Sequence, residues 1–150
     1  ALVLALSHQA ELLIMDEPTS GLDPLVRRQF LEIIMDYMKN GGKGVFFSTH
    51  ITSDLDKVAD VLILIDGGKI VFQQSKDELL DTFRIVKGSA AILNDRNKRL
   101  IRNLKISTYG FSALTDRIAD VKKEMPGVLF EKASIEDIML AYVGGKSDGR

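Results

Sequence analysis

Three short, predominantly apolar runs, separated by segments with a helical pattern, constrain the fold of this chain more than any other feature. The runs are Leu12–Met15, Gly44–Ser48 and Val61–Ile65, and polar residues follow each of them. Runs of this length that end in charged or turn residues are typical of strands buried on both faces of a sheet. Helices are predicted between them over residues 24–40, with Asp23 as the N-cap, and over residues 53–58. Strands that alternate with helices predict an α/β fold with a parallel sheet.

A tight turn and a weaker pattern follow the third run. Gly67 and Gly68 favour a two-residue hairpin loop, which places an antiparallel hairpin at the edge of the sheet. Ser75 and Glu78 form a capping box, so a helix over residues 76–82 closes this part. Beyond Phe83 we expect a small α+β module, with strands over 83–87, 104–109 and 128–131 and helices over 89–103, 115–125 and 134–143. The predicted division is therefore 1–82 and 83–150.

The composition excludes several classes of protein. The chain has 150 residues, of which 45% are hydrophobic and 27% charged, so it is neither collagen-like nor largely disordered. It has no cysteine, which excludes disulfides, thiolate metal sites and cysteine nucleophiles. Its apolar runs are far shorter than the roughly 20 residues of a membrane-spanning helix.

Charge is distributed unevenly along the chain. Residues 1–83 hold 7 Lys and Arg against 13 Asp and Glu, whereas residues 84–150 hold 13 against 8. A basic second half could meet an acidic partner, but two solvated surfaces are the favoured interpretation. The basic cluster at 96–99 is likewise interpreted as a solvated helix face, and no nucleic-acid partner is expected.

Candidate functional residues follow the first two predicted strands. Asp16 and Glu17 end the first strand, and His50 follows the second. The carboxyl ends of parallel strands meet at one edge of a sheet, where ligands bind. Adjacent carboxylates point to opposite faces, so one could hold a divalent cation while the other activates water. The alternative is a turn that ends the strand and solvates its charges.

The residues from Leu12 to Asp23, with His50 after the next strand, resemble the ATP-binding cassette (ABC) ATPase family. A Walker B strand with its adjoining glutamate, a D-loop of sequence Ser-Gly-Leu-Asp and a switch histidine occur in the family's order and at similar spacing. The resemblance covers residues 1–82 and implies the C-terminal part of a P-loop NTPase sheet. Residues 83–150 resemble, more loosely, C-terminal extensions of some bacterial ABC ATPases, for which we expect a regulatory or subunit-contact role.

The resemblance implies a role for each matching residue. Asp16 would be the Walker B aspartate that holds Mg²⁺ through water, and Glu17 would be the general base that polarises the water attacking ATP. His50 would hydrogen-bond the γ-phosphate and help to place that water. The D-loop, which in the family crosses the interface to a second ATPase subunit, would comprise Ser20, Gly21, Leu22 and Asp23.

Other motifs of the family do not occur in this sequence. There is no Gly-x-x-x-x-Gly-Lys-Ser/Thr loop and no signature motif, although Ala1–Gln9 resembles the helix that follows the signature. We interpret the chain as the C-terminal part of an ABC transporter ATP-binding subunit. Alone, we expect it to be inactive and to self-associate through exposed strand edges.

The resemblance also implies a setting for the complete subunit. It would dimerise with a second ATPase subunit and dock on a separate transmembrane permease at the cytoplasmic face of the membrane. Two alternatives stay open, a non-transport ABC ATPase that acts on ribosomes or DNA and a non-enzymatic regulatory protein.

Overall fold

The computed structural model describes residues 10–39 and 43–143, which fall into two compact units. The units comprise residues 1–59 and 60–150. The predicted helix at Ala1–Gln9 lies outside the described residues. No helix within the described ranges is long and apolar enough to cross a membrane.

The first unit is built on two parallel strands. Strand β1 (Leu12–Asp16) pairs with β2 (Gly44–Ser48) in a register that sets Leu12 opposite Gly44 and Asp16 opposite Ser48. Helix α1 (Pro24–Lys39) connects the strands, and α2 (Thr52–Val58) follows β2. The helices and the inner face of β1 share one core, formed by Leu13, Phe30, Leu31, Ile34, Tyr37 and Val58. The predicted parallel βαβ arrangement is confirmed.

The strands of this unit are buried on one face only, whereas the sequence predicts burial on both. Leu13 is buried, but its neighbours Leu12 and Ile14 are 56% and 72% exposed, and Phe46 on β2 is 54% exposed. A sheet with one apolar face open to water favours association. Self-association therefore stays a prediction.

Helix α1 begins where the sequence predicts. The Asp23 carboxylate accepts hydrogen bonds from the backbone N–H groups of Leu25 and Val26 at 3.0 and 3.1 Å. Pro24 follows at the first helical position, where its missing N–H has no intrahelical partner to lose.

The second unit begins with the predicted hairpin. Strands β3 (Val61–Asp66) and β4 (Lys69–Ser75) are antiparallel, and the positive φ angles of the two intervening residues, 56° and 75°, explain the Gly-Gly pair. Among the described strands, β3 pairs with β4 alone. Helix α3 (Lys76–Thr82) is capped as predicted by Ser75, whose hydroxyl accepts from the Glu78 N–H at 3.2 Å.

The rest of the second unit is an antiparallel sheet with two helices. In chain order its elements are β5 (Arg84–Gly88), β6 (Arg102–Ser107), β7 (Gly110–Thr115), α4 (Ile118–Glu124), β8 (Leu129–Lys132) and α5 (Ile135–Val143). The strand order in the sheet is β6-β7-β5-β8. Its core comprises Val86, Ile101, Phe111, Ala113, Val121 and Met125. The predicted α+β character of this region is confirmed.

Two local predictions in this region are wrong. Residues 89–103 form 3₁₀ turns at Ala90–Ile92 and Asn97–Leu100, where the sequence predicts α-helix. The side chains of Asn94 and Asn97 each accept from the other's backbone N–H, at 3.0 and 2.8 Å, and so compete with helical hydrogen bonds. The sequence also predicts no strand over residues 110–115, where β7 lies.

Aromatic contacts join the hairpin to the last helix inside the second unit. The Tyr142 ring on α5 lies 5.5 Å from that of Phe72 on β4 and 6.1 Å from that of Phe83, centroid to centroid. Residues 60–82 therefore pack with the C-terminal region. The modular division at 82/83 stays a prediction.

Candidate functional site

The ends of β1 and β2 lie side by side and share a hydroxyl. Because Asp16 stands opposite Ser48 in the register, the Ser48 hydroxyl donates to the Asp16 carboxylate at 2.5 Å. The same hydroxyl oxygen accepts from the backbone N–H of Glu17 at 2.9 Å. Ser48 thus fixes the backbone of one candidate residue and the side chain of the other. Ser48 is not among the site residues that the sequence predicts.

Glu17 and His50 meet directly. Nδ1 of His50 lies 2.8 Å from Oε2 of Glu17, and both side chains are open to solvent, 70% and 36% exposed respectively. An ionised carboxylate can only accept, so Nδ1 is the donor in this contact. A neutral His50 ring then has its acceptor nitrogen, Nε2, free for another partner.

The backbone at Glu17 is unusual. Its φ is +45°, in the left-handed region that side chains with a Cβ rarely adopt. The Glu17 carbonyl accepts from the Ser20 N–H at 3.1 Å, which closes a turn directly after β1. This turn reverses the chain and leaves the Glu17 side chain beside the end of β2.

The predicted D-loop forms the exposed connection between this turn and α1. Ser20, Gly21, Leu22 and Asp23 are all exposed, and Gly21 has a φ of +74°. The Asp23 side chain caps α1, as described above, instead of joining the Glu17–His50 pair. The structure therefore brings Asp16, Glu17 and His50 together and leaves the other four predicted residues on an open surface next to them.

A buried carboxylate that sequence reasoning missed lies beneath this loop. Asp54, in the first turn of α2, is 0% exposed. Its Oδ2 accepts from the Thr19 hydroxyl at 2.7 Å, and its Oδ1 lies 2.7 Å from Nε and 2.6 Å from Nη2 of Arg27. The sequence carries one signal for it, an acidic residue in the first turn of a short helix, and that signal is equally typical of a solvated carboxylate.

The carboxylates at this site could bind Mg²⁺ only together with ligands from water and substrate. Within the described ranges, no group of three or more His, Asp or Glu side chains could hold a metal ion. Mg²⁺ is often bound by one or two carboxylates together with water and substrate phosphates. Asp16, an exposed carboxylate held by Ser48, fits the role of that single protein ligand.

Comparisons with known proteins give one match to a family model and several curated relatives. A family model described as "AAA domain, putative AbiEii toxin, Type IV TA system" matches residues 1–55. A putative ABC transporter ATP-binding protein of Mycoplasma pneumoniae is 32% identical over 95% of this chain and 45% of its own length. An uncharacterized ABC transporter ATP-binding protein of Nostoc is 45% identical over 51% of this chain and 22% of its own length.

Another relative extends the match into the second unit. The energy-coupling factor transporter ATP-binding protein EcfA2 of Lactobacillus johnsonii is 26% identical over 91% of this chain and 47% of its own length. The chain thus spans less than half the length of these relatives.

Proposed function

The chain is a homologue of ABC transporter ATP-binding proteins, and from this premise we propose that its first unit carries the water-activating part of an ATP-hydrolysis site. The observation that carries the proposal is the contact between Glu17 and His50 beside Asp16. All three residues lie at the carboxyl ends of adjacent parallel strands, where ligands of α/β sheets bind.

In this proposal Glu17 is the general base. Its carboxylate accepts a proton from the water that attacks the γ-phosphate, and the contact with His50 holds the carboxylate in place. Phosphoryl transfer requires mainly positioning and charge stabilisation. A fixed carboxylate beside a polar ring is therefore sufficient to position and activate the attacking water.

In this proposal His50 makes two hydrogen bonds, one to Glu17 and one to the γ-phosphate. Nδ1 donates to Glu17, and a hydrogen bond to the γ-phosphate requires Nε2 to donate as well. A ring that donates from both nitrogens is the imidazolium. We therefore propose that His50 is doubly protonated when ATP is bound, which also adds a positive charge beside the phosphate.

Asp16 is the proposed Mg²⁺ ligand. When bound, Mg²⁺ neutralises charge on the phosphate oxygens. The Ser48 hydroxyl orients the Asp16 carboxylate through its hydrogen bond, so the ion does not have to order that side chain.

Groups that hold the triphosphate have to come from outside these 150 residues. In P-loop proteins a glycine-rich loop and its lysine supply them, and the present sequence contains no such loop. We propose that hydrolysis belongs to the complete ATP-binding subunit. It would pair with a second ATPase subunit through Ser20–Asp23 and couple hydrolysis to transport through a membrane permease at the cytoplasmic face.

The proposal is tested by Glu17→Gln in the full-length protein that includes these residues. Glutamine keeps the size of the side chain but cannot accept the water proton, so we expect kcat to fall about 100-fold or more while ATP affinity is retained. The matched control is Glu11→Gln, an exposed carboxylate just before β1, which should leave kcat unchanged. Equal ATPase rates for Glu17→Gln and the unmodified protein would rule out Glu17 as the base.

The second arm uses the 150-residue chain alone. Isothermal titration with Mg-ATP should show no micromolar binding, because the proposed site would contact only the terminal phosphate and its water. Micromolar binding would show that the chain supplies its own phosphate cradle and would contradict this part of the proposal.

A further inference from the structure

Asp54 lies on no predicted motif, yet it is a fully buried carboxylate whose two oxygens both have partners. It has no solvent exposure, and both of its oxygens are engaged by side chains from other elements. Removing a carboxylate from water is unfavourable unless its partners replace the lost hydration. Here a hydroxyl and a guanidinium replace it.

The partners of Asp54 lie at the two ends of the exposed Ser20–Asp23 loop. Thr19 directly precedes the loop and is itself 1% exposed, and Arg27 follows it in the first turns of α1. The backbone N–H of Arg27 also donates to the Asp23 carbonyl at 2.9 Å. One carboxylate therefore holds both ends of the loop.

Asp54 is also linked to the two residues of the proposed catalytic pair. Thr19 belongs to the turn that begins at Glu17, in which the Glu17 carbonyl accepts from Ser20. On the other side, the Asp54 N–H donates to the carbonyl of Ile51 at 3.0 Å, one residue after His50. Asp54 thus connects the segment that carries Glu17, through its side chain, with the segment that carries His50, through its backbone.

We propose that Asp54, acting through Thr19 and Arg27, is a positioning residue that sets the contact between Glu17 and His50 and couples it to the Ser20–Asp23 loop. This inference rests on the proposed function of that pair. Stabilising α2 does not explain the arrangement, because the Asp54 side chain is directed to the preceding loop and α1 and not to the N–H groups of its own helix.

The test measures the imidazole nitrogens of His50 in the full 150-residue chain by long-range ¹H–¹⁵N NMR. The chain has two histidines, so a His50→Gln variant assigns the signals. At a pH where the ring is neutral, the Glu17 contact should hold the Nδ1–H tautomer. Glu17→Ala, which removes the acceptor oxygen, should shift the ring towards the Nε2–H tautomer that free histidine prefers, which establishes that the signal reports the pair.

Thr19→Val is the decisive variant, because valine fills the space of threonine without its hydroxyl. We expect it to lose the Nδ1–H signature, as should Asp54→Asn, whereas Thr19→Ser should keep it. Asp56→Asn, an exposed carboxylate on the same helix, is the matched control and should leave the signature intact. Circular dichroism identifies the variants that stay folded, and Thr19→Val keeps the test decisive if Asp54→Asn does not fold.

The outcomes separate this inference from the proposed function. If folded Thr19→Val retains the Nδ1–H signature while Glu17→Ala loses it, Asp54 does not position the pair, and the proposed function stands. If Thr19→Val loses the signature but Glu17→Gln in the full-length protein keeps its ATPase rate, the positioning role stands and the proposed function fails. If the positioning role and the proposed function are both correct, Thr19→Val in the full-length protein should lower kcat roughly 10- to 100-fold with little change in KM for ATP.

Discussion

At the scale of single residues, Glu17 combines an exposed carboxylate with a strained backbone. A left-handed conformation costs a residue with a Cβ about 1–2 kcal/mol, and Glu17 adopts it at φ +45°. Glycine would adopt this conformation without that penalty. Strain of this kind is retained where the side chain is needed, which agrees with a catalytic role for the carboxylate.

Glu17→Gly should therefore remove the side chain without destabilising the fold. Relief of the left-handed strain offsets the greater flexibility of glycine in the unfolded chain, so we expect a change of less than about 1 kcal/mol in the free energy of unfolding. The control, Glu32→Gly in the interior of α1, should lower it by about 1 kcal/mol through lost helix propensity. Urea denaturation measures both, and a larger loss for Glu17→Gly than for Glu32→Gly would contradict the strain argument.

At the scale of elements, the N-terminus of α1 gives Asp23 a structural role beside its predicted place in the D-loop. Its carboxylate accepts two backbone N–H groups that have no intrahelical partner. Any loss of activity on substitution would mix a loosened helix with a lost subunit contact. Two substitutions separate these effects.

Asp23→Ala should lower the free energy of unfolding by about 1 kcal/mol, while Asp23→Asn, which keeps an acceptor oxygen, should lower it by only a few tenths. Thermal unfolding of the two variants measures the difference. If both are equally stable, the cap contributes nothing. In the full-length protein, an activity loss in Asp23→Asn, which keeps the cap, would be due to the lost charge and not to a loosened helix.

How far the sequence predicts this structure depends on how local the signals are. The strand after Glu11, the cap at Asp23 and the Gly-Gly hairpin were predictable because each depends on neighbouring residues and a known turn chemistry. The strand ends also predicted that Glu17 and His50 would share one edge of the sheet, and the structure places them 2.8 Å apart.

The missed features depend on contacts between distant residues. Strand β7 begins at Gly110, where a Cβ would lie 2.3 Å from the carbonyl oxygen of Gly88. Glycine is therefore required at this position by a contact with β5, 22 residues earlier in the chain. The sequence around Asp54 is typical of a surface carboxylate. Its burial depends on contacts with Thr19 and Arg27, which lie 35 and 27 residues away in the chain. Pairs at such separations leave no periodic trace in a single sequence.

At the scale of the whole chain, the boundary of the compact units falls within the region that resembles the ATPase family. The units divide at Ala59/Asp60, while the resemblance extends to residue 82. The hairpin of β3 and β4 therefore packs with the C-terminal sheet and helices, partly through the contact of Phe72 with Tyr142. Residues 60–82 thus belong to the same compact unit as the C-terminal region.

If this boundary is a folding boundary, residues 60–150 should fold alone. Their core and capped helices are complete within that range, so we expect the ¹H–¹⁵N spectrum of a 60–150 fragment to overlay on the matching signals of the full chain. A fragment of residues 83–150 should be less stable, because it leaves Tyr142 without Phe72. The control is Tyr142→Phe in the 60–150 fragment, which keeps the ring contacts and should stay folded. Equal stability of the two fragments would instead place the folding boundary at 82/83, where the family resemblance ends.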